Sequence, residues 1–195
     1  MMLDQSGLDL LFNTARSQNG WQAKSVSEAQ LAQLYNLVRM GPTSLNSSPA
    51  RFVFVVSPEA KQRLAEAVSD GNVEKTRTAP VVAIIGYSLD FPSRLPVLFP
   101  HNPSVTALFE GKPDFVRDTA YRNSSLQGAY LMMAARAMGL DCGPMSGFNP
   151  EKVERAFFPD GGVNVNFLCG IGYGDSAKVF PRSPRLSFDE ACKLV

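Results

Sequence analysis

Apolar positions along this chain follow two rhythms, a helical one and a continuous one, separated by polar breaks. Leu8, Leu11 and Phe12 recur at helical spacing and predict a first helix over Leu8–Thr14. A polar stretch, Ala15–Trp21, follows. Ser27 and Gln30 form a capping-box pair and open a helix with Leu31, Leu34, Tyr35 and Val38 on its apolar side and Gly41 as its stop. Phe52–Val56 is wholly apolar, which predicts a strand covered on both faces. Pro58 opens a helix through Glu59–Val68, and Pro80–Gly86 reads as a second buried strand. The strongest helical pattern runs over Thr119–Met138 and ends at Gly139. There Leu126, Tyr130, Met133 and Ala137 share a face, while Leu131, Ala134 and Ala135 fill much of the rest, which predicts a mostly buried helix. Its small residues also suit close packing against another helix, including one from a second chain. Pro150–Phe157 reads as a short helix, Val163–Gly172 as a third strand and Phe188–Leu194 as a closing helical turn.

Between the second strand and the long helix the pattern breaks down. Ser88–Asp118 holds five prolines and scattered aromatics, a long excursion with room for a short helix. Excursions of this length usually cover a site or move. Helices separate the strands and no tight hairpin signal appears, so the expected architecture is α+β or α/β around one central sheet. No repeat or linker divides the chain, so residues 1–195 are expected to form a single domain.

Composition narrows the function. Of 195 residues, 45% are hydrophobic and 19% charged, with a net charge of +1, so neither disorder nor a nucleic-acid partner is indicated. Cys142, Cys169 and Cys192 lie far apart with no CxxC, which suggests free thiols in a reducing, cytoplasmic compartment. A single histidine, His101, without a Cys/His cluster argues against zinc. Asp4 and Asp9 interrupt the N-terminal apolar residues, unlike a signal peptide. No apolar run approaches the ~20 residues that span a membrane.

The usual catalytic patterns fail in turn. No GxSxG precedes a helix, and His101 sits between prolines, so a serine triad is disfavoured. Gly170-Ile-Gly-Tyr-Gly-Asp175 follows a strand but opens no helix, so it reads as glycines for close packing rather than a phosphate loop. What remains is a set of polar spots spread along the chain: Arg16/Ser17/Asn19, Thr43/Ser44/Asn46, Asn72/Lys75 and Arg182/Arg185. Each alone reads as solvated surface. Together they offer arginines for a phosphate and amides and hydroxyls for a polar ring system. A cofactor that carries redox chemistry would explain why no acid, base, nucleophile or metal set is visible.

The order of these segments resembles the nitroreductase family of FMN-dependent oxidoreductases. The matching pieces are Arg16-Ser17, Pro42-Thr43-Ser44-Leu45-Asn46, Asn72-Val73-Glu74-Lys75, Pro144-Met145-Ser146-Gly147, and Arg182 with Arg185. The resemblance implies an α+β fold with a central, mostly antiparallel sheet flanked by helices, and an entwined homodimer with flavin sites at its interface. It implies that Arg16, Ser17 and Asn19 meet the FMN phosphate or ribityl chain, with Arg182 and Arg185 as further phosphate partners. Asn72 and Lys75 would face the ribityl chain and the pyrimidine edge. Pro144, Met145, Ser146 and Gly147 would lie along the ring, with the Ser146 N–H near N5. Pro42, Thr43, Ser44 and Asn46 would come from the partner subunit. Ala15 and Asn19 replace positive charge common in the N-terminal motif, which shifts weight to Arg182 and Arg185. No catalytic side chain and no metal are implied.

Further stretches resemble one branch of the family, the malonic semialdehyde reductases of pyrimidine degradation: Gly41-Pro-Thr-Ser44, Leu95–His101, Arg122-Asn-Ser-Ser125, Gly139–Phe148, Gly172–Ser176 and Pro184–Phe188. The branch implies a ping-pong reaction in which NADH or NADPH reduces FMN and FMN reduces the aldehyde to 3-hydroxypropanoate. Arg94, His101 and Arg122 are then candidates for the substrate carboxylate, chosen for their place in or beside the excursion. Two alternatives stay open, a broad nitroaromatic or quinone reductase with the same flavin site and a flavin-binding module without turnover.

Overall fold

A computed structural model describes residues 2–195 of the chain. Its centre is a sheet of four strands, β1 (Ala50–Val55), β2 (Val81–Ser88), β3 (Asp141–Met145) and β4 (Val163–Gly172). The order is β1-β2-β4-β3 and every neighbouring pair is antiparallel. Among the described residues the α-helices are α1 (Gln5–Leu8), α2 (Glu28–Val38), α3 (Pro58–Ala65), α4 (Asp70–Thr78), α5 (Leu95–Leu98), α6 (Pro113–Ala137), α7 (Pro150–Phe157) and α8 (Phe188–Ala191).

β2 is central and all its residues are buried. Alternate side chains go to opposite faces, as the pleat requires. Val81, Ala83 and Ile85 meet Leu31, Leu34 and Val38 of α2 and Leu131, Ala134 and Ala135 of α6. Val82 and Ile84 meet Leu64 of α3, Val153 of α7, Met145 and Trp21 on the other side. The sheet is therefore the middle layer between two helical ones.

The expected strands and most helices are present, with corrections that have physical reasons. β3 is a strand that the sequence pattern does not predict, because Asp141-Cys-Gly-Pro-Met145 shows no alternation. It forms at a sheet edge, the place where a strand tolerates proline. α4 was not expected as a helix; only Thr76 of its nine residues is buried, so it carries almost no apolar signal. The first helix begins at Gln5 and passes into a π-helical turn over Asp9–Asn13.

α6 starts at Pro113, six residues before the expected Thr119, with proline in its first turn. Its buried side is also different. Asn123, Ser124 and Gln127 are buried, while Leu126 and Tyr130 are 46% and 42% exposed. β1 lies at the other edge, and Arg51–Phe54 are half-buried rather than covered on both faces. Tyr35, Leu37 and Met40, just beside them on α2 and its end, are exposed.

The excursion is more ordered than its sequence suggests. Short helical turns over Phe91–Arg94 and Pro103–Leu108 flank α5 and fold around Phe91, Leu95, Val105 and Phe109. The glycines at the end of β4 act as expected: a Cβ on Gly170 would come within 2.5 Å of the Trp21 ring, and one on Gly172 within 2.5 Å of Pro80. No described helix is long and apolar enough to cross a membrane.

Candidate functional site

The outer edge of β3 is taken by the segment Arg16–Asn19. Ser17 bridges Cys142 in parallel, and the Gln18 N–H donates to the Cys142 carbonyl at 2.9 Å. This approach needs Gly143, where a Cβ would stand 2.6 Å from the Gln18 carbonyl oxygen. α4 closes over the same edge. Lys75 Nζ donates to Asn19 Oδ1 at 3.3 Å, and Asn72 Nδ2 donates to the Gly147 carbonyl at 3.0 Å. The Trp21 indole N–H donates to the Lys75 carbonyl at 3.3 Å and fixes the helix from beneath. Three segments far apart in sequence thus meet, each through a residue singled out from sequence.

Lys75 is half-buried, and burial holds its ammonium pKa below the ordinary lysine value. The backbone N–H groups of Ser146 and Gly147 make no hydrogen bond within the described residues, so two adjacent donors stand free beside Asn72. Met145 is buried, its sulfur within 3.8 Å of the Thr76 hydroxyl, so its side chain belongs to the core and only its backbone can serve a ligand.

Next to this edge lies a cleft of about 470 Å³ whose lining includes Arg16, Ser17, Asn19, Arg136, Arg182 and Arg185 and no carboxylate. The extended C-terminal tail is stitched to the N-terminal segment by guanidinium–carbonyl bonds. Arg182 Nη2 donates to the Asn13 and Ala15 carbonyls at 2.7 and 2.9 Å, and Arg16 Nη2 donates to the Phe180 carbonyl. Arg136 Nη1 donates to the Leu11 carbonyl at 3.1 Å, while its Nε is buried with no partner. Among the described residues the only ion pairs join Arg117 to Asp114 and Asp118, so none of the cleft arginines has a carboxylate partner. Four guanidinium groups around one cleft with an orphaned buried N–H make a site for a multiply charged anion.

Arg136 was not among the residues singled out from sequence. A basic residue in the last turn of a helix is ordinary dipole chemistry. Only the fold turns it toward the tail.

Pro42, Thr43, Ser44 and Asn46 are not brought into this cluster. Their loop runs into β1, whereas the cluster is built on β3, at the opposite edge of the sheet. Two strands lie between, a separation of about 14 Å at ordinary strand spacing. The loop is nevertheless unusual. Leu45, Asn46 and Ser48 all have positive φ, at 55°, 49° and 39°, a conformation costly for residues other than glycine and concentrated at ligand clamps. Ser44 and Asn46 are exposed. Arg94, His101 and Arg122 are exposed as well and do not line the arginine cleft.

Comparison with known proteins places these features in a family. The nitroreductase family model matches residues 14–173. A protein of Cupriavidus pinatubonensis, provisionally named an NADH dehydrogenase/NAD(P)H nitroreductase, is 57% identical over 189 residues, covering 96% of each chain. HadB of Ralstonia pickettii, with the same provisional name, is 59% identical over 189 residues, again 96% of each chain. Among solved structures, a provisionally assigned nitroreductase of Exiguobacterium sibiricum in complex with FMN has a TM-score of 0.89 at 19% identity, covering 100% of this chain and 99% of that one. A provisionally assigned NAD(P)H:FMN oxidoreductase of Staphylococcus epidermidis has a TM-score of 0.83 at 19% identity, over 100% and 98% of the two chains. At such identities the two structures speak for the fold.

Proposed function

The chain belongs to the nitroreductase family, and from that premise we propose that it is an FMN-dependent NAD(P)H oxidoreductase that works as a homodimer. The observation that carries the reading is the arginine cleft without counter-ions, joined to Lys75, Asn72 and the free N–H groups of Ser146 and Gly147. FMN has the chemistry this arrangement asks for: a phosphate of about −2 charge at one end and a polar ring system at the other.

Arg16, Arg136, Arg182 and Arg185 hold the phosphate, with the Ser17 hydroxyl and the Asn19 amide beside them. The buried Arg136 Nε gains the acceptor that the chain does not supply. Lys75 brings a positive charge, and Asn72 an amide, to the polar edge of the ring. Ser146 and Gly147 offer backbone N–H donors. Bound FMN would supply the redox chemistry, taking hydride from NAD(P)H and delivering it to an acceptor. No side chain is required as nucleophile or metal ligand.

The second chain supplies Pro42, Thr43, Ser44 and Asn46, which one chain holds on the wrong edge of its sheet. The exposed apolar side chains of α2 and α6 and the half-covered β1 give the two copies a surface to share. Residues 1–195 act as one unit, and its three unpaired thiols suit the cytoplasm.

For the acceptor, the stretches shared with the malonic semialdehyde reductase branch support a small aldehyde bearing a carboxylate. The names carried by the 57–59% identical relatives support a nitroaromatic as the second reading.

The test is spectroscopic first. FMN added to purified protein should bind with 1:1 stoichiometry per chain, and NADH or NADPH should bleach the bound flavin under anaerobic conditions. A protein that binds no flavin overturns the reading. Turnover of malonic semialdehyde and of a nitroarene, measured side by side on the same preparation, then decides the acceptor. NAD(P)H oxidation with the nitroarene alone sinks the aldehyde.

A further inference from the structure

Three residues of α6 hold the loop Gly41–Ala50 from one side. Asn123, Gln127 and Tyr130 are spaced four and three apart, so they share a helix face. Asn123 Oδ1 accepts from the Ser44 N–H at 2.7 Å, and Gln127 Oε1 accepts from the Ala50 N–H at 2.9 Å. The Tyr130 ring lies on Gly41, where a Cβ would come within 2.7 Å of it. The loop is gripped at its beginning, middle and end.

The two amides are costly at these positions unless they have this task. Asn123 is 2% exposed and Gln127 5% exposed. A buried amide stabilises only when its polar atoms are paired. Asn123 Nδ2 donates to the Thr119 carbonyl at 2.8 Å, which fixes which way the amide points and leaves Oδ1 for the loop. Between the grips lie the left-handed residues Leu45, Asn46 and Ser48. Such a run stays populated only where the surroundings impose it. Two further bonds complete the frame: the Ser48 N–H donates to Thr43 Oγ1 at 3.1 Å and Asn46 Nδ2 donates to the Leu98 carbonyl at 2.8 Å.

We propose that Asn123 and Gln127 are positioning residues of the flavin site, holding the Pro42–Asn46 loop in its left-handed shape so that Ser44 and Asn46 meet the cofactor already ordered. The proposal rests on the FMN reading above. It goes beyond that reading by assigning cofactor affinity to a helix face that bonds the loop's backbone. A loop ordered before binding loses less freedom on binding, and affinity is higher for it.

The experiment uses the full chain and two ligands. Asn123→Leu removes the acceptor for Ser44 at similar size, and Gln127→Met does the same, more gently, for Ala50. Ser124→Ala is the control: Ser124 lies on the same helix, away from the loop, and its Oγ accepts a half-buried 2.8 Å bond from Asn166 Nδ2 of β4. The two loop variants should bind both FMN and riboflavin about tenfold more weakly than wild type, since the phosphate is assigned to the arginine cleft and not to the loop. Their apoproteins should exchange the Ser44–Ser48 amides faster. Ser124→Ala, with a comparable loss of melting temperature, should bind both ligands like wild type. If wild type binds FMN and the loop variants match the control in affinity and exchange, the positioning role is overturned while the flavin reading stands. If wild type binds no FMN, both fall. Should Asn123→Leu fail to fold, Gln127→Met decides alone.

Discussion

Lys75 Nζ reaches Asn19 Oδ1 at 3.3 Å, a bond that ties α4 to the N-terminal segment through a neutral partner. Burial keeps the Lys75 pKa below the ordinary value, with no carboxylate among the described residues ion-paired to it. The unfolded chain therefore keeps this proton to higher pH than the folded one. Between the lowered pKa and the ordinary lysine value of about 10.4, folding releases the proton and stability rises with pH. Below that window the penalty of the buried charge is fully present. Apoprotein Lys75→Gln should lack this rise. Chemical denaturation of both proteins from neutral to alkaline pH gives the difference curve, and parallel curves would refute the burial of a charged Lys75.

Arg136→Met should leave the fold intact and weaken FMN by about ten- to a hundredfold, the range of a lost charge-assisted hydrogen bond. Riboflavin has no phosphate and should bind as to wild type. Fluorescence titration with both ligands checks this. Equal losses for both would place Arg136 away from the phosphate.

Gly143→Ala puts a methyl group 2.6 Å from the Gln18 carbonyl oxygen, a backbone atom that has little freedom to yield. The expected cost is about 1–3 kcal/mol, as for other overpacked sites. Because the strain falls on the segment that carries Arg16, Ser17 and Asn19, FMN affinity should drop together with the urea midpoint. A normal midpoint would mean that the segment can move off β3 freely.

Leu126→Glu places a charge in the exposed apolar face of α6, where Leu126 is 46% exposed in the single chain. Sedimentation velocity should show a dimer for wild type and a monomer for the variant, and the monomer should bind FMN poorly because it lacks the partner's loop. A dimer unchanged by this substitution would move the interface elsewhere.

Legibility in the sequence followed the kind of signal each element carries. The capping box was readable as written: Ser27 Oγ accepts from the Gln30 N–H at 3.2 Å and Gln30 Oε1 from the Ser27 N–H at 2.9 Å. β2 was readable from its unbroken apolar run, and β4 from Val163, Val165 and the apolar residues Phe167–Cys169 despite Asn164 and Asn166. β3 was not, because an edge strand containing Gly143 and Pro144 resembles a turn in one dimension. α4 was not, because only Thr76 of it is buried and its sequence carries almost no apolar pattern.

The buried side of α6 was misread for a related reason. Its apolar residues Leu126 and Tyr130 are left exposed, and its inner side uses Asn123 and Gln127 to bond a loop. Hydrophobicity marks what gains from being covered, and in the single chain that face is left open. The cationic and amide residues that meet beside β3 were singled out through the order of segments that resembles the family. Arg136 was missed because its meaning comes from the path of the tail.

The order β1-β2-β4-β3 also has a genetic meaning. If the loop before β1 serves one cofactor and the groups along β3 serve another, each protomer makes two separable contributions. A copy defective at Arg182 and a copy defective at Asn46 are then each inactive as homodimers. Mixed, they form a heterodimer in which one of the two sites draws an intact cleft from one copy and an intact loop from the other. Co-expression of the two defective alleles should restore part of the activity that neither shows alone.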